Sequence, residues 1–453
     1  MADPRQADSF RMEGWQVSAD GASVRFDYTC ARYGAFSEIV TFTATDLALE
    51  ARLDRGLAGL LDLLQVALGV SYYKCAAARR LLLPLTRISS ELHQLATALY
   101  GDGLAELYVR NGLYQSHELE IVASDKDSAP YPEQVAQTHS LDGQALVAWG
   151  GGKDSYVADA IARRAGLTAQ RCAVVMSDKV EAAIQRTSEM PVLFLRRHLD
   201  PKLRDVNAAD ALNGHVPITA INALMLVILG RLSGAQSVIF ANERSADEPT
   251  IRQDGIVANH QYSKSSNFEN IMRDAIGTAD PLAPAYFSVL RPYSEIWIAE
   301  KFSALQEAFP RFTSCNQNFR ITGAEPPRWC GACAKCAFTS LMLAPHLSLE
   351  QARTIFPDNF LERENLLPLY RELCGLTDSK PWDCVGTINE CRATVYRLSL
   401  SSPWRATRAV RALIPQILAL HDTATLETFW QDGMGVADRH FVPDTMMKAA
   451  HDL

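Results

Sequence analysis

The chain has 453 residues, 48% of them hydrophobic and 21% charged, which excludes a disordered chain, a collagen-like repeat and a small disulfide-stapled fold. At roughly 100–200 residues per domain the length allows two to four domains with sizeable cores. Lys+Arg of 44 against Asp+Glu of 52 gives a net charge of −8, so no global positive field collects nucleic acid, and none is expected as a partner.

Residues 1–15 carry charges throughout and lack the apolar core of a signal peptide, which points to the cytoplasm. Short strands are expected at 24–28 and 39–42, followed by helical periodicity from Asp46 to Leu107, a mixed α+β opening. The polar, proline-bearing segment Ser124–Gln137 reads as a linker. After it the rhythm changes to strand 145–149, tight loop 150–155, helix 156–165, strand 172–176, helix 179–188 and strand 192–195. The apolar stretch Val216–Gly230 is too short for the ~20 residues of a membrane helix and is expected as a buried helix, with no membrane contact. A fourth strand, 237–241, follows it. Strands alternating with helices at this spacing imply an α/β fold, a parallel sheet with helices on both faces, whose ligands bind beyond the carboxyl ends of the strands. Beyond Leu347 the chain reads mainly helical. The expected division is therefore 1–139, 140–346 and 347–453.

Gly150, Gly151, Gly152, Lys153, Asp154 and Ser155 sit between a strand and a helix, where backbone N–H groups and the helix start form an anion site. Lys153 adds a positive charge, Ser155 a hydroxyl, and Asp154 a carboxylate able to orient a metal ion. Lys153 is not followed directly by Ser or Thr, so this is not the kinase-type loop. Ten cysteines without an export signal favour thiols, metal ligation or catalysis over disulfides. Cys330, Cys333 and Cys336 recur at two-residue spacing and Cys315 stands upstream as a fourth thiol, enough for the tetrahedral shell of a structural zinc. An iron–sulfur cluster and plain buried thiols are the alternatives.

The loop resembles the Ser-Gly-Gly-x-Asp-Ser signature of the N-type ATP pyrophosphatases, the PP-loop family, with Gly150 in place of the first Ser. That resemblance implies a HUP-like sheet that binds ATP, a loop that holds the departing pyrophosphate with Mg²⁺, and adenine near Val175 and Met176. The order of the four cysteines is similar to the zinc site of the 7-cyano-7-deazaguanine synthases, also PP-loop enzymes. Three further stretches, Asn242–Glu248, Asn259–Ser265 and Trp329–Cys336, together with Asp383-Cys384-Val385-Gly386, resemble the UDP-N-acetylmuramoyl-L-alanyl-L-glutamate epimerases of peptidoglycan synthesis. In that family ATP activates the terminal L-glutamate, the α-proton is removed and returned on the opposite face, and AMP and pyrophosphate leave. The resemblance also implies a functional link to the ligase that adds L-glutamate to UDP-N-acetylmuramoyl-L-alanine, and a substrate-binding role for residues 1–139.

Inversion needs acid/base groups reaching both faces of one carbon, or one mobile group. His215, Glu243, Asp247, His260, Lys264 and Cys384 are the candidates, beside Lys153 and Asp154 in the loop. Glu243 and Asp247, four apart after a strand, are placed to share a helical turn and hold Mg²⁺ or act as a base; they also read as a solvated loop pair. His260 and Lys264 suit phosphate or carboxylate binding or a surface loop, and Cys384 reads either as a base or as an inert buried thiol. A PP-loop enzyme acting on a nucleobase or tRNA is the rival reading, and a metal-stapled nucleotide sensor a non-enzymatic one.

Overall fold

Three strands open the chain: β1 (Ser9–Val17), β2 (Ser23–Cys30) and β3 (Gly34–Phe42). Alternate residues are buried, among them Phe10 and Met12, Val24, Phe26 and Tyr28, then Phe36 and Val40, so the period-two pattern folds them as an antiparallel meander with one covered face. The architecture is that of a computed structural model, which describes residues 3, 5–42, 49–84, 89–123, 143–253, 255–319, 327–378 and 380–453. The linker expected at 124–137 and the boundary at 139/140 lie outside the described residues.

The run expected to be helical from 46 to 107 contains α1 (Arg55–Tyr73) and a helix over Ser90–Tyr100, but a strand interrupts it. This is β4 (Arg80–Leu83), which pairs in parallel with β1 and with β5 (Glu120–Ala123). Leu81, Leu82 and Leu83 form an apolar run too short for periodicity to separate strand from helix; pairing with residues 9–11 decides it. The α1 helix has the length and apolarity of a membrane span, the only such helix among the described residues, and 16 of its 19 residues are buried within the fold.

The alternating rhythm after 143 takes the form read from the sequence, apart from a short helix, Lys202–Ala208, in the stretch between the third strand and the apolar helix that reads as a polar loop. β6 (Gln144–Ala148), α2 (Lys153–Arg164), β7 (Thr168–Val175), a helix over Asp178–Arg186, β8 (Leu193–His198), α3 (Ile218–Ser233) and β9 (Ser237–Phe240) follow in order. A hairpin of β10 (Ile251–Gln253) and β11 (Ile256–Ala258), α4 (Ser266–Ala279), β12 (Ala285–Ser288) and α5 (Glu295–Ser303) complete this part. The main sheet has ten strands in the order β12-β9-β6-β7-β8-β3-β2-β1-β4-β5. The five from β12 to β8 are mutually parallel, and β3 joins them antiparallel to β8, so the opening meander extends the same α/β sheet. At that junction Arg197 of β8 bonds Glu38 of β3 at 2.6 Å, both buried.

Both faces are covered. In β6, Leu146 enters the core built with α1 and α3, whereas Ala145 and Val147 enter the core built with α2, α5 and the C-terminal helices. This two-sided burial explains why the central strands are apolar throughout rather than alternating. From α6 (Ala334–Leu343) onward the chain is helical, as expected beyond 347, and includes α7 (Ile388–Leu400), which starts with a Thr387/Glu390 capping box.

Candidate active site

The chain runs from β6 outward to β7 and β8 and then returns to place β9 on the other side of β6, so the strand order reverses beside β6. A crevice is expected beyond the carboxyl ends of strands at such a point. The structure has a cavity of about 260 Å³ there, lined by Trp149, Gly150, Asp154 and Ser155 of the glycine loop, by Val174 of β7, and by Asn242 and Lys264. Gly151 has φ +75°, and a Cβ on it would lie 2.3 Å from Thr187 Oγ1, so conformation and space both require glycine. Ser155 Oγ accepts the Gly150 amide at 3.0 Å and closes the loop, while Gly152, the N-cap of α2, places no side chain over the helix start. Met176, expected near adenine, follows β7 and is 37% exposed; Val174 lines the cavity instead.

Lys153 is 2% exposed and lies between two carboxylates, Asp154 at 2.5 Å and Glu295 at the start of α5. Burial acts to lower the Lys153 pKa, but the two carboxylates outweigh it and hold the ammonium charged. Burial pushes Glu295 up to about 8 against the pull of Lys153. Burial likewise acts to raise Asp154, and Lys153, Lys335 and Lys264 overcome it and keep that carboxylate ionised. Asp154 both touches Lys153 and lines the cavity.

Lys264 connects the cavity to a second group of residues. His260 and Lys264, four apart in the turn after β11, both act electrostatically on the thiol of Cys384, which arrives from the C-terminal helical region. The Cys384 carbonyl accepts a hydrogen bond from Lys335 Nζ of α6, and the Val385 carbonyl accepts Gln261 Nε2 at 3.3 Å. Burial acts to raise the Cys384 thiol, yet Lys264, His260 and Lys335 together bring it down to about 7. For His260 burial acts downward, and Cys384 and Glu106 raise it to about 9. A cationic environment that favours the thiolate is the mark of a reactive rather than an inert cysteine. His215 packs its ring on His260 with centroids 4.1 Å apart, and burial and the His260 charge lower it to about 3.

Glu243 and Asp247 flank one 3-10 turn, Arg244–Asp247, Glu243 at its N-cap and Asp247 at its last residue, and their carboxylates have different partners. Glu243 is 4% exposed and its charge acts on Lys264 and Glu295. Asp247 Oδ1 instead accepts the Ser266 amide at 2.6 Å, at the start of α4. Four contributors escaped the sequence reading: Glu295, Glu106, Lys335 and Arg291. Arg291, after β12, pairs with Glu269 at 2.9 Å and donates to the main-chain carbonyls of Glu243, at 2.9 Å, and Lys264. One buried arginine thus ties together the two loops that carry site residues. Lys335 had a local signal in its place within the cysteine cluster; the other three had none.

Cys315, Cys330, Cys333 and Cys336 converge with their sulfurs all within 4.8 Å of one another. The separations are 4.0 Å for Cys315–Cys333, 3.8 Å for Cys330–Cys336 and 3.5 Å for Cys333–Cys336. Four sulfurs at 2.3 Å from a tetrahedral zinc stand about 3.8 Å apart, so the donor set fits one such ion. The Cys330 amide also donates to Cys315 Sγ at 3.4 Å. Cys333 caps α6 and Cys336 lies in its first turn, one residue beyond Lys335.

Comparison with known proteins gives the lineage of this arrangement. Residues 1–289 match the model of the MurL N-terminal domain, and residues 311–428 that of the MurL C-terminal domain. The chain belongs to the MurL family. Among its MurL relatives are proteins named UDP-N-acetyl-alpha-D-muramoyl-L-alanyl-L-glutamate epimerase. One from Micromonospora sp. is 36% identical with 98% of both chains covered, and one from Salinispora tropica is 37% identical over 91% of this chain and 90% of the relative. A third, from Xanthomonas oryzae pv. oryzae, is 32% identical over 98% and 97%. The glycine loop, His260 and Lys264 fall within the stretch matched by the N-terminal model, and the four cysteines and Cys384 within that matched by the C-terminal one.

Proposed function

We propose that this protein inverts the terminal L-glutamate of UDP-N-acetylmuramoyl-L-alanyl-L-glutamate at the expense of ATP, for peptidoglycan precursor synthesis. The observation that carries the reading is Lys264, which lines the cavity at the glycine loop and whose charge also acts on the Cys384 thiol, so that a phosphate cradle and a thiolate share one lysine. Near-full-length likeness to proteins named for this epimerisation supports the choice of substrate.

The reaction follows from the placement of charges. A carboxylate oxygen of the glutamate attacks the α-phosphorus of ATP, the bond to the bridging oxygen breaks, and pyrophosphate leaves as the acyl adenylate forms. The amides at the start of α2 face the anion, and the Lys153 ammonium, buried between Asp154 and Glu295, keeps the cavity-lining Asp154 carboxylate ionised. Mg²⁺, held by Asp154, would offset the charge of the departing pyrophosphate. Beside a free carboxylate the α-proton is too weakly acidic to remove; beside an acyl phosphate the electron pair left on carbon spreads into the carbonyl. Cys384 takes that proton as thiolate, with Lys264 and His260 keeping the sulfur ionised beforehand. The abstracted proton is lost to solvent, a solvent-derived proton is delivered to the opposite face, and water displaces AMP from the acyl carbon. The four cysteines would hold Zn²⁺ as a closed structural shell and fix the start of α6, from which Lys335 reaches Cys384. Sulfurs this close suit one ion better than a four-iron cubane, whose thiolates bind separate irons and stand farther apart.

The test is product analysis with ATP, Mg²⁺ and the UDP-linked dipeptide. Wild-type protein should release AMP and pyrophosphate only when the dipeptide is present, and Lys153→Ala should abolish release while circular dichroism stays unchanged. Undiminished release by Lys153→Ala would remove the loop from the reaction.

A further inference from the structure

We infer that Glu106 is a positioning residue for the acid/base step: it holds His260 by Nδ1 so that Nε2 faces the Cys384 thiol. The inference rests on the reading of Cys384 as the base, and it gives the first part of the chain a task in the site.

Glu106 belongs to the short helix Ala105–Arg110, far in sequence from both partners, and its side chain is 7% exposed. Its Oε2 lies 2.5 Å from His260 Nδ1, and its Oε1 accepts Arg110 Nε at 2.7 Å, so the carboxylate is held at both oxygens. His215 packs against the imidazole ring, with centroids 4.1 Å apart. With Nδ1 committed to a carboxylate, Nε2 is the nitrogen left for the sulfur. A base oriented by a third group is the same logic that serves nucleophilic triads, applied here to a proton-abstracting thiolate.

Glu106, His215 and His260 could also be read as a metal site. The 2.5 Å contact argues against that, because two ligands of one tetrahedral ion at about 2.05 Å stand roughly 3.3 Å apart. It is a hydrogen bond, and a buried carboxylate bonded to Nδ1 favours the imidazolium. The other charged groups around the pair are Arg110 from the same helix as Glu106, Lys264 from the turn after β11, Lys335 from α6 and Asp383 beside the cysteine. Asp154 and Glu243 act on it through Lys264.

The experiment measures the rate of Cys384 alkylation by iodoacetamide against pH, by peptide mass spectrometry on the full-length chain. Wild type should show a midpoint near 7. Glu106→Gln should move that midpoint up by about one pH unit, toward the ordinary thiol value, with Glu106→Asp in between. The same Gln variant should lower kcat for α-deuterium exchange about tenfold with KM little changed. A folded Glu106→Gln protein whose alkylation midpoint stays in place overturns the inference. Should the glutamine variant not fold, the aspartate variant reads the same shift to a smaller degree, and an unmoved midpoint there has the same meaning. Failure of the underlying reading looks different: Cys384→Ala would then exchange the α-proton at the wild-type rate, whatever the alkylation profile shows.

Discussion

Removing Arg291 tests how the site is held together. Its guanidinium is 2% exposed and makes four contacts: two nitrogens on Glu269 Oε2, at 3.1 and 2.9 Å, and one on each of the Glu243 and Lys264 carbonyls. Arg291→Met strands the buried Glu269 carboxylate, which keeps the Ser288 amide at 2.9 Å and the charge of Arg273 nearby, and breaking such a pair costs about 3–5 kcal/mol. Replacing Glu269 by Gln in the same chain removes the stranded charge while keeping an oxygen for Ser288. What remains is about 1–3 kcal/mol for each carbonyl left without its donor. The double variant should therefore be more stable than Arg291→Met, as read from denaturant midpoints. Turnover should behave differently and stay at least tenfold low in both, because neither restores the ties to the Glu243 and Lys264 loops. The reasoning is refuted if Arg291→Met leaves the midpoint unchanged, or if the double variant regains turnover together with stability.

Three more outcomes follow. Gly151→Ala should abolish ATP-dependent turnover and lower the melting temperature, since its methyl would meet Thr187 at 2.3 Å from a left-handed backbone; normal ATP binding by this variant, read by calorimetry, would contradict the close packing of the loop. The pH profile of kcat/KM should rise through about 7 as Cys384 loses its proton; a profile flat between about pH 6 and 8 contradicts the assignment. Elemental analysis should find about one zinc per chain, and Cys333→Ser or chelation should lower the melting temperature and turnover together, whereas a metal-free protein of full stability would remove the structural shell.

The architecture was legible where two periodicities are unambiguous. The strands and helices from 144 to 240 appear within a few residues of their expected places, because buried parallel strands are apolar throughout and glycine punctuates the turns. β4 was hidden because Leu81–Leu83 is too short to show a period, and β1 because the irregularity between Met12 and Gly14 breaks its alternation, although it pairs with the adjacent β2. Within the site, motifs placed the glycine loop and the four cysteines, whose chemistry depends on local spacing. The convergence of His260, Lys264 and Cys384 depends on tertiary contact between segments more than a hundred residues apart. Glu106, Glu295 and Arg291 carry no local pattern at all; each is an ordinary charged residue until the fold buries it against a partner. Asp247 shows the reverse, a residue with suggestive spacing whose carboxylate serves a helix start.

The most direct measurement incubates the protein with ATP, Mg²⁺ and UDP-N-acetylmuramoyl-L-alanyl-L-glutamate in D₂O, and reads the nucleotide products with the mass and chirality of the terminal glutamate. The account predicts AMP, pyrophosphate and D-glutamate carrying one deuterium at the α-carbon. Intact ATP with L-glutamate free of deuterium would contradict it.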